Sequence, residues 1–177
     1  DFICNDAGAI AVETDDVYAG SWDASCANCV SSSGVITPAN TGPGFVDITY
    51  TSQNPCGQTT QVTVEIGAVP DASIEDLSLC EGTGDVNLIS TTAGGTWTAE
   101  CAGCCTPSGL FNTGTAGVGT WDLTYTIAGA CPSSGAGTFT VTANTSSNFS
   151  LSPTACANDA PVIATADEPG GAWSATC

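Results

Sequence analysis

One residue spacing, 75 or 76, recurs throughout this chain and limits what it can fold into more than any other feature. Cys4, Cys80 and Cys156 are each 76 residues apart. Trp22, Trp97 and Trp173 follow at 75 and 76, and Cys26, Cys101 and Cys177 do the same. Cys56 matches Cys131 at 75, as Val46-Asp47-Ile48-Thr49-Tyr50-Thr51 matches Trp121-Asp122-Leu123-Thr124-Tyr125-Thr126. The register divides the chain into repeat 1 over 1–75, repeat 2 over 76–153, and over 154–177 the N-terminal part of a third repeat, completed outside this segment. A unit of about 75 residues has a modest core and calls for covalent help.

Within a repeat the pattern is that of strands. Val46, Ile48 and Tyr50 alternate with Asp47, Thr49 and Thr51, and Trp121, Leu123, Tyr125 and Ile127 alternate in the same way. A period of two puts the apolar residues on one face of an extended segment. Val62, Val64 and Ile66, then Phe139 and Val141, give a last strand per repeat; Ile10 with Val12 and Val86 with Leu88 give an early one. Trp22 and Trp97 belong to a following strand, and Val35-Ile36 and Leu110-Phe111 to another. Gly, Pro, Asn and Ser clusters such as Asn40-Thr41-Gly42-Pro43-Gly44 separate them. No segment holds a helical period over three turns. The expected fold is all-β, a small antiparallel sandwich per repeat, with a jelly roll or barrel as the lesser option.

Composition narrows the function. The chain of 177 residues has no Lys, Arg, His or Met against 18 Asp plus Glu; average usage would supply roughly 22 basic residues. Without cations it cannot displace counterions from a phosphate backbone, which excludes nucleic acid, nor attach electrostatically to anionic membrane. Without His and Lys it has no Ser-His-Asp, Cys-His or Schiff-base chemistry, so no enzyme and no cofactor is expected. Charged residues are only 10% and hydrophobic ones 42%, enough apolar surface for a folded chain. No apolar run is long enough for membrane insertion.

A leading Cys, a Gly-Gly-x-Trp step (Gly94-Gly95-Thr96-Trp97, Gly170-Gly171-Ala172-Trp173), a Gly-rich loop, a Tyr-bearing strand and a second Cys before a Thr/Val strand together resemble tandem immunoglobulin-like repeats. Such repeats occur in large secreted bacterial adhesins and surface stalk or filament proteins. The resemblance implies stacked sandwiches, extracellular at a cell surface or secreted, with copies of the same kind as partners. Cys-x-x-Cys after each Trp and the absence of basic residues depart from that pattern.

Eleven Cys point to an oxidising compartment. Four recur per full repeat: Cys4, Cys26, Cys29 and Cys56, then Cys80, Cys101, Cys104 and Cys131. Four thiolates would suit zinc, but thiolate sites belong mainly to reducing compartments, so disulfides are the stronger reading. The expected pairing is Cys4–Cys56 and Cys80–Cys131 as long staples, contributing about 4 kcal/mol each, with Cys26–Cys29 and Cys101–Cys104 as clips of about 2. The other connectivities stay open. Cys105 has Val30 as its counterpart and so no repeat-encoded partner.

Asp71, Glu75, Asp76, Glu81 and Asp85 crowd the first junction and are weak calcium candidates; no carboxylate lies in the second junction, 144–155, so plain solvated charge is the stronger reading. Asn144-Thr145-Ser146 and Asn148-Phe149-Ser150 are acceptor sequons for N-linked glycan. The leading functional expectation is a structural subunit or segment of an extracellular filament or adhesin stalk. Lacking Lys and Arg, it offers trypsin-type proteases no cleavage site. The alternative is an extracellular module whose loops bind glycan or protein.

Overall fold

The structure is a computed structural model, and it describes residues 1–150 and 160–176. Six strands come first: β1 Phe2–Cys4, β2 Ile10–Ala11, β3 Gly20–Ala24, β4 Val35–Ile36, β5 Gly44–Ser52 and β6 Thr59–Gly67. The next six repeat them: β7 Leu77–Cys80, β8 Asp85–Asn87, β9 Thr96–Ala99, β10 Leu110–Asn112, β11 Gly119–Ile127 and β12 Ser133–Thr142. A 3₁₀ turn at Pro38–Asn40 and a one-turn helix at Thr113–Ala116 occupy matching places. In the helix the Asn112 side chain accepts from the Thr115 N–H at 2.6 Å, capping a free donor.

Each set forms two layers. A four-stranded sheet in the order β1-β6-β5-β3 faces the pair β2-β4; β7-β12-β11-β9 faces β8-β10. This is the strand arrangement of an immunoglobulin-like sandwich, with Trp22 and Trp97 on the third strand of each set. The long hairpins β5–β6 and β11–β12 are antiparallel, with Val46 opposite Val64 and Trp121 opposite Phe139. The first strand of each set instead runs parallel to the last: Cys4 registers with Gly67 and Cys80 with Thr142. Among the described strands these two edge pairs are the departures from a wholly antiparallel arrangement.

Alternation along the strands supplies the cores. Val46, Ile48, Val64 and Ile66 pack with Ile36 and Cys29, and Trp22, Ile3 and Ile10 close around them. In the second sandwich Leu123, Tyr125, Phe139 and Val141 meet Phe111 and Leu88 from the opposite layer. Phe111 and Phe139 stack at 4.1 Å between ring centroids, both wholly buried. Burying such rings contributes roughly 1.5–3 kcal/mol each. Ala72 and Ile74 also belong to this second core, ahead of the boundary that the cysteine spacing suggests.

Beyond the second sandwich, β13 Phe149–Ser150 pairs antiparallel with β14 Thr165–Ala166. Trp173 rests edge-on against Phe149 at 5.4 Å and remains 58% exposed, unlike Trp97, which is buried. Cys156 and Cys177 lie outside the described residues.

Candidate functional site

The cysteines give the chain its most consequential geometry. Cys4 is bonded to Cys131, 127 residues away, with the two Cα atoms 5.5 Å apart. Cys26 is bonded to Cys29 and Cys101 to Cys104. Cys56, Cys80 and Cys105 are free thiols among the described residues. The expected staples Cys4–Cys56 and Cys80–Cys131 are therefore not the ones formed. The reason is strand direction. Cys4 registers with Gly67 at the end of β6, whereas Cys56 precedes the start of β6 at Thr59. Eight residue steps of extended chain separate those two ends of β6, roughly 27 Å; a disulfide needs Cα atoms within about 7 Å. Cys80 and Cys131 stand at opposite ends of β12 for the same reason.

The bond that does form spans the two sandwiches. Cys131 lies in the β11–β12 hairpin, and this hairpin meets the end of the first sandwich where β1 and β6 finish. The Cys131 sulfur sits over Gly67, where a Cβ would stand 2.8 Å from it. Cys4 sulfur also lies 3.3 Å from the Ala130 carbonyl oxygen, and Asn5 Oδ1 accepts from the Val69 N–H at 3.2 Å. Gly67 leaves the room that the sulfur occupies.

A cleft of about 730 Å³ opens in the first sandwich, lined by Trp22, Tyr50, Asp16, Ser52, Thr60 and Val62 among others. Trp22 and Tyr50 pack with ring centroids 4.7 Å apart. The Tyr50 hydroxyl donates to the Tyr18 carbonyl at 3.0 Å and reaches Asp16 Oδ2 at 3.4 Å. The Ser52 hydroxyl, and then the Tyr18 N–H, hold the Asp16 carboxyl below its ordinary value. Desolvation, reinforced by the Asp16 charge, pushes the Tyr50 phenol up. Aromatic rings beside a carboxylate are chemistry that a sugar can use.

The same place in the second sandwich is covered. Thr60 and Val62 have Gly135 and Gly137 as counterparts, 75 residues on. There the Ala72 carbonyl lies over Gly135, and Ile74 covers Gly137, with a Cβ at Gly137 standing 3.0 Å from its side chain. Ile74 also bridges to Ser90, and Thr91 N–H donates to the Ser73 carbonyl at 3.1 Å. In the first sandwich Val62, at the place of Gly137, is 48% exposed and lines the cleft.

The acidic junction residues are engaged singly. Asp71 accepts from the N–H and hydroxyl of Ser73 at 2.9 and 2.5 Å, which hold its carboxyl below the ordinary range. Asp76 accepts from Thr138 N–H at 2.6 Å and so pins the segment to β12. With Glu75 they form no three-carboxylate cluster among the described residues. Asn144 and Asn148 are both exposed. Cys105 is half-buried, donates to the Thr106 carbonyl at 3.4 Å, and has its thiol pushed up by burial.

Two glycine roles escaped the sequence reading. A Cβ at Gly20 would run into the Tyr50 ring, and one at Gly95 into the Tyr125 ring and the Thr126 carbonyl. In the second sandwich the Tyr125 hydroxyl donates to Thr92 O at 2.8 Å and accepts from Gly95 N–H at 2.6 Å. The Gly-x-Trp step is therefore a seat for the tyrosine of the neighbouring long strand. The paired recurrence of Gly20 with Tyr50 and Gly95 with Tyr125 was the signal that would have found it.

No protein-family model matches the chain, and no curated protein matches it in sequence. Among solved structures it is similar to Drosophila N-cadherin EC1-4, at 13% identity over 81% of this chain and 47% of that one, with a TM-score of 0.39. It is similar to the insect immune protein hemolin at 12% identity, 81% and 44% coverage, and a TM-score of 0.44. A third is BT4661, a SusE-like surface located polysaccharide binding protein from Bacteroides thetaiotaomicron, at 14%, 85% and 34%, with a TM-score of 0.34. The chain spans less than half the length of each.

Proposed function

We propose that this chain is a structural segment of an extracellular adhesion-type stalk or filament, in which sandwiches of one build are locked end to end. The Cys4–Cys131 bond carries the reading. A disulfide between two separately cored sandwiches restricts the unfolded chain, fixes their relative position and stops them being pulled apart. Disulfides also support an oxidising, extracellular setting. The charge of −18 with no cations keeps neighbouring stalks from clumping. The division into repeats over 1–75, 76–153 and 154–177 is part of this proposal, with the joint itself between Gly67 and Ala72. So is glycan on Asn144 or Asn148, exposed residues beside the second joint.

The test is small-angle scattering of the protein before and after mild reduction. The stalk reading expects two sandwiches in a fixed arrangement when oxidised and a broader distribution of maximum dimensions once Cys4–Cys131 is cut. Identical scattering in both states overturns it. The alternative, a module that grips glycan at the Trp22–Tyr50 cleft, has in its favour the aromatic pair beside Asp16. It predicts that a soluble oligosaccharide quenches or shifts Trp22 fluorescence.

A further inference from the structure

Two of the unbonded cysteines among the described residues each match one half of the bond that is already made. Cys80 stands 76 residues after Cys4, and both end a short strand parallel to the last strand of their sandwich. Cys56 stands 75 residues before Cys131, and both lie in the turn between the two longest strands. The bond present here joins the end-of-strand cysteine of one sandwich to the hairpin cysteine of the next. Carried one repeat in either direction, the same rule requires a partner for Cys80 from a following hairpin and a partner for Cys56 from a preceding strand end. These two cysteines are exposed free thiols. They lie at the outer ends of the joined pair and cannot reach each other.

We propose that Cys56 and Cys80 are inter-repeat bonding sites, each closing a disulfide with the complementary cysteine of a neighbouring repeat of this same build. Cys56 takes an end-of-strand cysteine and Cys80 a hairpin cysteine. The inference rests on the stalk reading and deepens it by making the link covalent at every joint.

The local chemistry fits. At the bonded joint the Phe2 ring and the Cys131 sulfur both crowd Gly67. At the open joint the counterparts are Ser78 and Thr142. Bulk has moved from the first strand to the last: Ser78, which is exposed, stands in place of the Phe2 ring, and Thr142 in place of Gly67. Thr142 Oγ1 is 3.3 Å from the Leu79 carbonyl, to which it donates, and 3.8 Å from the Cys80 sulfur. An incoming sulfur replaces the second contact and leaves the first. Cys105 is a control within the same chain. It has no repeat-encoded counterpart, it is half-buried, and its thiol is pushed up by burial, so a free thiol alone does not qualify.

Each bond forms by thiol–disulfide exchange. A dithiol oxidant in its disulfide form is attacked by one cysteine thiolate, giving a mixed disulfide. The second cysteine attacks that sulfur, and the oxidant leaves as two thiols. Two thiols of the stalk become one disulfide, and two electrons and two protons pass to the oxidant.

The experiment uses the protein purified from its native source. Free thiols are blocked by alkylation under denaturing conditions, and the chain is cut at acidic and aromatic residues because it has no Lys or Arg. The linked peptides are then sequenced without reduction. The expected result is no alkylation at Cys56 or Cys80, with Cys56 linked to a leading-strand cysteine and Cys80 to a hairpin cysteine. An intact mass unchanged by reduction, apart from the added hydrogens, puts both partners in the same chain. A ladder that collapses on reduction puts them in a second copy. Alkylated Cys56 or Cys80, the two bonded to each other within one copy, Cys80 bonded to Cys156, or either one bonded to Cys105, to Cys177 or to a small thiol, overturns the proposal. If Cys4–Cys131 persists while Cys56 and Cys80 are alkylated, the covalent joint fails and the stalk reading stands; if Cys4–Cys131 is absent too, both fall.

Discussion

Gly67 lies directly under the sulfur of Cys131, although the two residues belong to different sandwiches. The same glycine faces the Phe2 ring from the neighbouring strand. Gly67 registers with Cys4, so one backbone position with no side chain admits the whole joint. Replacing Gly67 by Ala puts a methyl group where the sulfur and ring already are. Overpacking of this kind costs about 1–3 kcal/mol. The G67A protein is expected to lose its Cys4–Cys131 bond to dithiothreitol several-fold faster than the parent, with the Cys26–Cys29 and Cys101–Cys104 rates unchanged.

Gly95 and Gly171 occupy the same place in successive Gly-Gly-x-Trp steps, yet only Gly95 is crowded, by Tyr125 and the Thr126 carbonyl. Gly171 has nothing within 4 Å of a built Cβ. Gly95→Ala is expected to destabilise by about 1–3 kcal/mol, and Gly171→Ala to stay within about 0.5 kcal/mol. Thermal unfolding followed by tryptophan fluorescence separates the two.

Phe111 is wholly buried and stacked on Phe139, whereas Phe45 is 74% exposed. Phe111→Ala removes a ring from between the two layers and is expected to cost about 3–5 kcal/mol. Phe45→Ala is expected to move the melting midpoint hardly at all. Calorimetry should show the Phe111→Ala loss in the second sandwich, with the transition of the first retained.

Asp16 and Tyr50 make stability fall at opposite ends of the pH scale: the Ser52 hydroxyl and the Tyr18 N–H hold the first low, and desolvation, reinforced by the Asp16 charge, holds the second high. The folded carboxyl of Asp16 titrates below its ordinary value of 3.8, so on acidification the unfolded chain takes up the proton first. Its contribution is complete above that value and is lost as pH drops through the folded one. Tyr50 titrates above its ordinary 10.0. Its contribution is complete below that value and is lost as pH rises through the folded one. Asp16→Asn should flatten the acid limb and reduce the upward displacement of Tyr50, read by ultraviolet titration of the phenolate. Asp71, held low by Ser73, supplies a second acid-limb contribution that the Asp16→Asn protein retains.

In the isolated 177-residue chain the three thiols that are free among the described residues should react at different rates. Cys56 and Cys80 are exposed, whereas Cys105 is half-buried with its thiol pushed up. The thiolate is the nucleophile, so iodoacetamide near neutral pH is expected to label Cys56 and Cys80 first. Cys105 should follow at least several-fold more slowly, and peptide mass spectrometry at short reaction times reads the order.

The sandwich was legible because its long strands alternate: Leu123, Tyr125 and Ile127 are buried, whereas Asp122 and Thr126 are exposed and Thr124 is intermediate. The short strands that bear Trp22 and Trp97 also fall where the turns and apolar pairs put them. The joint was not legible. A cysteine period of 75 or 76 is satisfied equally by a bond within a repeat and by one to the next repeat. What separates the two is the direction of the first strand relative to the last. Phe2–Cys4 and Leu77–Cys80 are too short to carry a pattern that reveals it. Parallel pairing sends each leading cysteine to the end of the sandwich farthest from its own hairpin. The packing of Ala72 and Ile74 into the second core escaped because both stand ahead of residue 76, where the cysteine spacing sets the boundary.

The partner of Cys4 tests this account most directly. The oxidised 177-residue protein, cut at acidic and aromatic residues without reduction and read by tandem mass spectrometry, should yield one species joining the Cys4 peptide to the Cys131 peptide, resolved into its two halves by reduction. A Cys4 peptide joined to the Cys56 peptide instead would place the bond inside one sandwich, and the end-to-end lock would not exist.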